Sequence, residues 1–453
     1  MINLGNTNLK NVCLGGTELI KVMRGSTEVW SPSSVGYEVG IQVDFVNKTY
    51  TRLGDAENLN PGTDFDIFPM FGGRRRCNVA DNGTINAYYG DIGYTEDGSN
   101  GQVMVYQPKF YYKVEALEKD VQSTGLGYHL RKANWWVSDR PRAGFKVHPA
   151  FEVNGNEVDY ILDGAFEGAM WQASSQKYIN DNVDTSIAYA SGDLLCSVGG
   201  KKPISGLRTG MGTKANFEAM AQNRGNTWHL ETIKLQSMNQ LLCLIEMANF
   251  DFQTAVGQGV VGITDNTSYN CSSLTGSTVG NSTQRATSTI NEIGGTETTE
   301  TAVNKTSVSY RGVENIWGNI YKHIQGINIW GNGTMNGGQP YICSDFNFNE
   351  SKNSDNYVGA GFTVVNANNY IAAFGYSETC DWLFLPSETG TNANSMVKDY
   401  TYITSNLNGY RVALLSGYWN AGGFVGGFFW NLSYSVGFKN RVVGSRLAYI
   451  PTI

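Results

Sequence analysis

Residues 412–451 read VALLSGYWNAGGFVGGFFWNLSYSVGFKNRVVGSRLAYIP, and this stretch combines regularly placed apolar residues with residues of several other classes. An apolar frame runs through it, formed by Leu414, Trp419, Phe428, Leu432, Val443 and Leu447. Between these positions, Tyr, Ala, Phe, Ser and Arg stand where a regular strand would show one class of residue. A packed core needs a uniform pattern of apolar positions, but a contact surface does not. The stretch therefore predicts a fixed scaffold that carries a surface of varied side chains.

Short motifs connect this stretch, and segments before it, to known proteins. Within it, the motifs are Gly417-x-Trp419-Asn420, Gly422, Gly426, the strand at Phe428 and Gly444-Ser445-Arg446-Leu447. Upstream, they are GGRRRCN at 72–78, GFKVHPAF at 144–151, NRGNTW at 223–228 and YRGVENIWGN at 310–319. The C-terminal motifs resemble the variable region of proteins diversified by retroelements, whose last module has the C-type lectin fold. The upstream motifs resemble tail proteins of phages that infect Gram-positive gut bacteria. This resemblance implies a tail-tip or tail-fibre adhesin that binds a bacterial surface receptor, either a protein or a glycan.

In the family that the chain resembles, mutagenesis falls on adenines, so that template Asn codons become codons for many residues. By position, the resemblance implies a diversified, ligand-binding set formed by Tyr418, Ala421, Gly423, Phe424, Phe429, Ser433, Tyr434, Phe438, Arg441 and Val442. Changes confined to the adenines of an Asn codon cannot produce Trp or Lys. Trp419 is therefore assigned to the scaffold, while Trp430 and Lys439 stay unassigned. For the three Phe of the set, the alternative is that they belong to the core.

A ten-residue repeat occupies the first thirty residues, as LGNTNL at 4–9, LGGTEL at 14–19 and RGSTEVW at 24–30. Each unit predicts a short strand, a two-residue turn that contains Gly, and a second strand. So small a sheet cannot bury enough apolar surface to stand alone. We therefore expect residues 1–34 to serve as an attachment and oligomerisation segment that contacts other virion tail proteins. The resemblance implies that the oligomer is a homotrimer.

The rest of the chain is predicted to be α+β and mostly β. Residues 35–138 should form a β-rich domain, because Val39, Ile41 and Val43 alternate with small or polar residues. The resemblance then makes residues 139–453 a C-type-lectin-like variable domain that binds the receptor.

Two helices are predicted in this second domain. Thr213 can cap the first, which ends before Gly225. The second should run from about Trp228 to Asn249, with one apolar face. After it, residues 260–309 are rich in Thr, Ser, Asn and Gly, and they predict a long polar loop with few core residues.

Charged residues give little support for nucleic-acid binding. The formal net charge is -7, and the densest basic run is Arg74-Arg75-Arg76. Acidic residues flank this run at Asp64, Asp66 and Asp81. We therefore expect structural salt bridges rather than a phosphate site.

The sequence contains no coherent catalytic or metal-binding pattern. Its seven Cys include no CxxC pair, and its four His lack metal-ligand spacing. Reduced, buried thiols are the prediction for the Cys. An Asn-rich loop that contains Asn347 and Asn349 could hold calcium, but turn formation is favoured. We therefore expect no catalytic residues, no metal and no cofactor.

The start of the sequence shows no basic stretch followed by an apolar segment, and no apolar run approaches membrane-spanning length. The protein is therefore expected to be made in the host cytoplasm and carried on the virion tail, with no membrane partner. Two alternatives stay open. One is an oxidase like the formylglycine-generating enzymes, which resemble C-type lectins and rely on a Cys pair with copper; Cys343 and Cys380 are the late pair here. The other is a bacterial surface adhesin made from an integrated element.

Overall fold

The computed structural model describes residues 36–179, 190, 192–206, 212–264, 269–278, 306–331, 338–349, 356–404 and 409–451, and before residue 36 the backbone of six short strands. Strands account for 38% and helices for 11% of the structure. The predicted class, α+β and mostly β, is therefore confirmed. In the parts of the chain just given, no helix has both the length and the apolar character needed to cross a membrane.

The six N-terminal strands form three separate hairpins. They are β1 Asn3–Leu4, β2 Thr7–Asn8, β3 Cys13–Leu14, β4 Thr17–Glu18, β5 Val22–Arg24 and β6 Thr27–Trp30. Each odd-numbered strand pairs antiparallel with the next strand in the sequence. Two residues separate the last pair of partners in every hairpin, as between Leu4 and Thr7. The predicted repeat of short hairpins is confirmed.

Thirteen strands and one short helix follow, up to residue 179. They are β7 Glu38–Asp44, β8 Thr49–Gly54, α1 Pro69–Gly72, β9 Arg75–Val79, β10 Ile85–Tyr88, β11 Gln102–Pro108, β12 Tyr111–Val121, β13 Tyr128–Ser138, β14 Lys146–Val147, β15 Glu152–Val153, β16 Asn156–Glu157, β17 Tyr160–Glu167, β18 Ala169–Gln172 and β19 Lys177–Tyr178. As the alternation predicts, Val39, Ile41 and Val43 of β7 are fully buried.

The next elements are β20 Leu194–Cys196, α2 Lys214–Gln222, β21 Trp228–Leu230, α3 Ile233–Met247 and α4 Phe252–Ala255. Thr213 caps α2 through a reciprocal arrangement with Asn216, so this predicted helix is confirmed. The predicted start of the second helix at Trp228 is wrong, because Trp228 begins a strand that pairs with the C-terminus of the chain. The hydroxyl of Thr232, which accepts the Leu235 N–H at 3.2 Å, caps α3 instead.

Every residue of α3 is buried, although the prediction gave this helix one apolar face. It packs against β7 and β13 on one side and against a strand of residues 321–331 on another. Its polar side chains are therefore paired inside the protein. Glu246, for example, accepts from Arg311 Nε at 2.6 Å and from the Tyr310 hydroxyl at 3.0 Å. Burial of a charge is tolerated only with such partners.

The remaining strands are β22 Ser309–Tyr310, β23 Val313–Glu314, β24 Tyr321–Gly331, β25 Gln339–Cys343, β26 Tyr357–Gly359, β27 Asn368–Tyr376, β28 Pro386–Gly390, β29 Tyr400–Tyr402, β30 Gly409–Leu415, β31 Trp430–Asn431, β32 Val443–Gly444 and β33 Arg446–Tyr449. Most of the strands belong to two sheets, a larger and a smaller one. In the larger sheet, the main strands have the order β14-β12-β13-β27-β29-β31-β30-β24-β25-β26. The smaller sheet has the order β10-β9-β11-β17-β33-β21. Both sheets join strands from before and after residue 138, so they do not divide at the predicted domain boundary.

The described parts of the polar stretch at 260–309 are mostly irregular, as predicted for a loop, but more of them are buried than predicted. Residues 270–273 and 275 are buried, as are Ser307 and Ser309. Side-chain hydrogen bonds make this burial possible: Thr275 Oγ1 donates to the Val198 carbonyl at 2.6 Å, and Glu314 accepts the Gly276 N–H at 2.9 Å. Most of the described residues therefore lie in the interior, although Thr264 and Tyr269 are exposed, and residues 265–268 and 279–305 lie outside the described residues.

Candidate functional site

A concave pocket of about 490 Å³ opens over strands β24, β29 and β31 of the larger sheet. Its base is formed by Tyr321 of β24, Tyr402 of β29 and Asn431 of β31, which lie on adjacent or nearby strands. The loops before and after β31 supply the walls, which comprise Tyr418, Asn420, Ala421, Phe424, Tyr434, Phe438, Asn440, Arg441 and Val442. A pocket of this size with aromatic walls and a few polar groups is typical of a ligand-binding site.

The structure brings most of the predicted ligand-binding set together in this pocket. Seven of the ten residues line it, namely Tyr418, Ala421, Phe424, Tyr434, Phe438, Arg441 and Val442. Gly423 is exposed on the same loop but outside the lining. Ser433 is half-buried and its hydroxyl donates to the Tyr402 carbonyl at 3.1 Å. That these residues bind a ligand stays a prediction.

Ala421 is only 4% exposed but still lines the pocket, whereas Phe429 is the member of the set that lies in the core and outside the lining. Its side chain is fully buried, so its assignment to the surface patch is wrong. Its ring centroid lies 5.9 Å from those of Tyr321 and Tyr402, directly against the base of the pocket. The alternative assignment to the core is therefore correct for Phe429. Phe424 and Phe438 keep part of their surface exposed, as expected for the patch.

The apolar frame predicted from residues 412–451 is confirmed at every position. Leu414, Trp419, Phe428, Leu432, Val443 and Leu447 are all 0% exposed. Trp430, which the sequence left unassigned, is also fully buried, and its indole N–H donates to the Phe384 carbonyl at 2.9 Å. Lys439 is exposed. The stretch therefore alternates between a buried frame and partly exposed side chains, as the sequence predicts.

The loop that carries the pocket walls is held by contacts that do not involve the varied side chains. The Phe428 N–H donates to Asp399 Oδ2 at 2.7 Å, and Asp399 is buried. Gly426 lies against the same carboxylate, where a Cβ would stand 2.9 Å from Oδ2. A Cβ on Gly427 would stand 2.5 Å from the ring of Phe252. Since buried groups fix the backbone, the exposed side chains can differ without changing its path.

Trp419 joins this frame to the pocket rim. It packs in a buried cluster with Val260, Ile263, Cys271 and Ile320. The Arg441 guanidinium lies over its indole, 5.3 Å from the ring centroid, and Arg441 Nη1 donates to the Tyr269 carbonyl at 2.6 Å. A scaffold residue therefore orients a residue of the predicted patch.

Several phenol groups line the base and walls of the pocket. The rings of Tyr434 and Phe438 stack with centroids 3.5 Å apart and planes at 7°. Burial raises the pKa of Tyr321, and that of Tyr402 is raised for the same reason. Both phenols are therefore neutral at physiological pH and can donate or accept hydrogen bonds.

Sequence reasoning missed five residues that line the pocket, namely Tyr321, Tyr402, Asn420, Asn431 and Asn440. Tyr321 and Tyr402 lie outside residues 412–451, and only the pairing of β24, β29, β30 and β31 brings them beneath the varied loops. Nothing in the local sequence marks that juxtaposition. Asn420, Asn431 and Asn440 lie within the stretch, but they are not part of the set that the resemblance implies.

The arginine run has the expected structural role, but with other partners. Arg76 is fully buried and pairs with Glu96 at 2.7 Å, and Arg74 donates to Asn239 at 2.6 Å. The guanidinium of Arg75 lies 3.7 Å from the ring centroid of Tyr88. The three flanking Asp bind elsewhere, as Asp66 does with Arg311 at 2.9 Å. The predicted pairing with those Asp is therefore wrong, because strand β9 carries Arg76 into the interior and leaves Arg75 exposed.

The cysteines of the described region have the predicted state. Cys77, Cys196, Cys243, Cys271, Cys343 and Cys380 are free and buried, while the side chain of Cys13 lies outside the described residues. Burial raises the pKa of Cys343 to about 11 and that of Cys380 to about 12, so both are thiols at neutral pH. The reactive form of Cys is the thiolate. Across the described ranges, no three His, Cys, Asp or Glu come together as metal ligands.

The Asn-rich loop forms a turn where it is described. Asp345 Oδ1 accepts the Asn347 N–H at 3.0 Å and an Asn356 side-chain N–H at 2.6 Å. The carboxylate therefore closes the loop on itself, as the favoured prediction of turn formation requires.

No protein-family model and no curated protein matches the chain. Among solved structures, it is similar to the Major Tropism Determinant U1 variant, with 12% identity and a TM-score of 0.27. It is also similar to the Major Tropism Determinant P3c variant, with 10% identity and a TM-score of 0.25. Each alignment covers 92% of this chain and 82% of the other. TM-scores this low do not establish a common fold, so the C-type lectin fold of residues 139–453 stays a prediction.

Proposed function

We propose that this protein is a phage receptor-binding adhesin that attaches to a bacterial surface through the pocket around Tyr418 and Tyr434. One observation carries the proposal: seven residues of the set inferred from the sequence line a single pocket on a buried frame. Partly exposed Tyr and Phe provide contact area at a small entropic cost, and Arg provides directional hydrogen bonds. The buried frame fixes the backbone while the contact side chains can vary. Such a site suits a protein that must recognise a receptor whose structure changes.

We further propose that the adhesin is a homotrimer joined to other tail proteins through residues 1–34. The three N-terminal hairpins are separate two-stranded sheets of two to four residues per strand. Isolated hairpins of this size are marginally stable in water. Pairing with sister chains or with a docking protein would supply the missing contacts. Several pockets on one fibre would also bind a cell surface with avidity.

We propose no catalytic activity for the protein. The pocket walls contain phenol, carboxamide and aliphatic groups with a single guanidinium, and none of the described lining residues is His, Cys, Asp or Glu. These are the groups that most often act as general acids, bases or nucleophiles, and burial raises the pKa of the phenols of Tyr321 and Tyr402, which keeps them neutral. The oxidase alternative requires a thiolate pair with copper, whereas Cys343 and Cys380 are buried thiols.

Adsorption of the purified protein to a panel of gut bacterial isolates tests the proposal. We expect the wild-type protein to bind a subset of isolates, and Tyr434→Ala to lose about 1 to 4 kcal/mol of binding free energy if Tyr434 is a contact anchor. Tyr160→Ala is the matched control, because Tyr160 is also half-buried and stacked on a neighbouring ring, but on the smaller sheet. Equal loss of adsorption in both variants, or wild-type protein that adsorbs to no isolate, would contradict the proposal.

A further inference from the structure

The C-terminal segment that forms most of the pocket has a charge opposite to that of the whole protein. From Tyr400 to the end of the sequence there is no Asp and no Glu, although the chain contains 40 of them. The same segment contains four cations, Arg411, Lys439, Arg441 and Arg446. Arg446 is buried and paired with Glu231, so the positive field of this segment near the surface comes from Arg411, Lys439 and Arg441, on a chain whose net charge is -7. Such a field favours the approach of an anion.

The pocket itself shows the same preference at close range. Arg441 is the charged residue among the described lining residues, and the others are aromatic, aliphatic or carboxamide. Its guanidinium is positioned by the Tyr269 carbonyl and by the indole of Trp419. An arginine held in this way loses little further entropy when it binds a carboxylate or a phosphate, and it can do so through two parallel hydrogen bonds.

The neutral groups of the pocket suit a sugar. Tyr418 and Tyr434 present partly exposed rings, on which the C–H faces of a pyranose can pack. Asn420, Asn431 and Asn440 present carboxamides, which can donate to and accept from sugar hydroxyls. Phenol hydroxyl groups have the same dual capacity. A carbohydrate ring has the complementary groups: its C–H faces pack on aromatic rings, and its hydroxyls exchange hydrogen bonds with neutral donors and acceptors.

The strands beneath the pocket do not suit an extended peptide. Peptides often bind by adding a strand to an unpaired sheet edge. Here β29 is paired with β27 and β31, and β31 with β29 and β30. Strand β30 is likewise paired with β31 and β24. The base of the pocket therefore lies in the middle of the sheet and offers side chains rather than backbone.

We propose that the receptor of this chain is an anionic glycan, whose carboxylate or phosphate binds Arg441 while a sugar ring packs on the tyrosines of the pocket. This inference rests on the proposed function. Because Arg441 belongs to the set inferred to be diversified, it also implies that the charge of the preferred receptor depends on residue 441.

The experiment uses the full-length protein and an isolate that the wild-type protein binds. We expect Arg441→Gln to weaken adsorption about ten- to a hundred-fold, from the loss of a charge-assisted hydrogen bond. Arg441→Lys keeps the charge but loses the second parallel hydrogen bond, so it should weaken adsorption, though less than Arg441→Gln does. Lys439→Gln is the matched control, because it removes the same charge from an exposed neighbour outside the pocket lining, and it should change affinity less than about twofold. Added salt should weaken wild-type adsorption more than that of Arg441→Gln.

Chemical treatment of the cells identifies the class of receptor. Periodate oxidation of sugars should abolish adsorption, and protease digestion should leave it unchanged. Amidation of carboxylates abolishes it if the anion is a uronate, and cold hydrofluoric acid, which cleaves phosphodiesters, abolishes it if the anion is a phosphate. Loss of adsorption after protease alone would show a protein receptor and overturn the inference, as would equal effects of Arg441→Gln and Lys439→Gln. Wild-type protein that binds no isolate would instead refute the proposed function.

Discussion

The division between frame and varied positions can be tested with two glycines, three residues apart on the same loop. Gly426 is buried against Asp399, and a Cβ there would stand 2.9 Å from Oδ2 and closer still to Oδ1. Gly423 is exposed, and the nearest atom to its Cβ would be Gln253 Oε1 at 3.9 Å. Neither residue has the positive φ that would by itself strain an alanine. Gly426→Ala and Gly423→Ala therefore differ only in what the added methyl group meets.

The cost at Gly426 follows from the contacts of Asp399. If the carboxyl group stays in place, the methyl group is overpacked, which typically costs about 1 to 3 kcal/mol. If the carboxyl group moves, its hydrogen bond from the Phe428 N–H is lost, and a buried N–H left without a partner costs about 1 to 3 kcal/mol. We therefore expect Gly426→Ala to lower the free energy of unfolding by about 1 to 3 kcal/mol. At Gly423 the change should stay within about 0.5 kcal/mol.

Urea denaturation of the two variants and of the wild-type protein measures both effects. In Gly426→Ala, any loss of cell adsorption should match the loss of folded protein. In Gly423→Ala, which stays folded, a change in adsorption would come only from the altered exposed surface. A Gly423→Ala protein as unstable as Gly426→Ala, or a Gly426→Ala protein as stable as the wild type, would refute the assignment of frame and varied positions.

Three further predictions concern packing, pH and assembly. Trp419→Ala should cost about 3 to 5 kcal/mol of stability because the indole is fully buried. In thermal unfolding, this variant should melt well below Tyr418→Ala, because the ring of Tyr418 is half-exposed. The reverse order of melting temperatures would contradict the packing described. Burial raises the pKa of Glu314 from its usual 4.5 to about 7, so the folded protein takes up a proton as the pH falls through this window. Relative to Glu314→Gln, the wild type should therefore gain about 2 to 3 kcal/mol between about pH 8 and pH 5, and parallel stability curves for the two proteins would contradict this sign. Light scattering should give a trimer for the full chain and a smaller species after removal of residues 1–34, whereas a stable monomer of the full chain would exclude the proposed assembly.

Local sequence signals predicted the elements that depend on neighbouring residues. The capping box of Thr213, the three hairpins of the repeat and the buried frame of 412–451 all follow from short patterns, and all are observed. Trp419 was assigned to the scaffold through the genetic code and is fully buried. In each case, contacts close in the sequence or a simple alternation determine the structure.

Contacts between residues that are far apart in the sequence could not be predicted in this way. Phe428 and Phe429 are adjacent and chemically identical, yet the sequence placed one in the frame and the other on the surface, and both are buried. Strands β24 and β29, from distant parts of the chain, form the floor that covers Phe429. The polar residues 270–273 likewise gave no sign of burial, because their partners lie in segments far away in the sequence, as Asn270 shows by donating to the Pro203 carbonyl.

Photo-crosslinking at Tyr434 tests whether a bacterial receptor occupies the pocket. Tyr434 is replaced by benzoylphenylalanine, the protein is adsorbed to cells of a bound isolate, and the sample is irradiated. If the receptor binds in the pocket, the replacement at position 434 should give a covalent adduct with one cell-surface component. The same replacement at Tyr160, on the other sheet, should give none. Efficient adsorption with no adduct at position 434, or with the same adduct from both positions, would contradict the claim that this pocket binds the receptor.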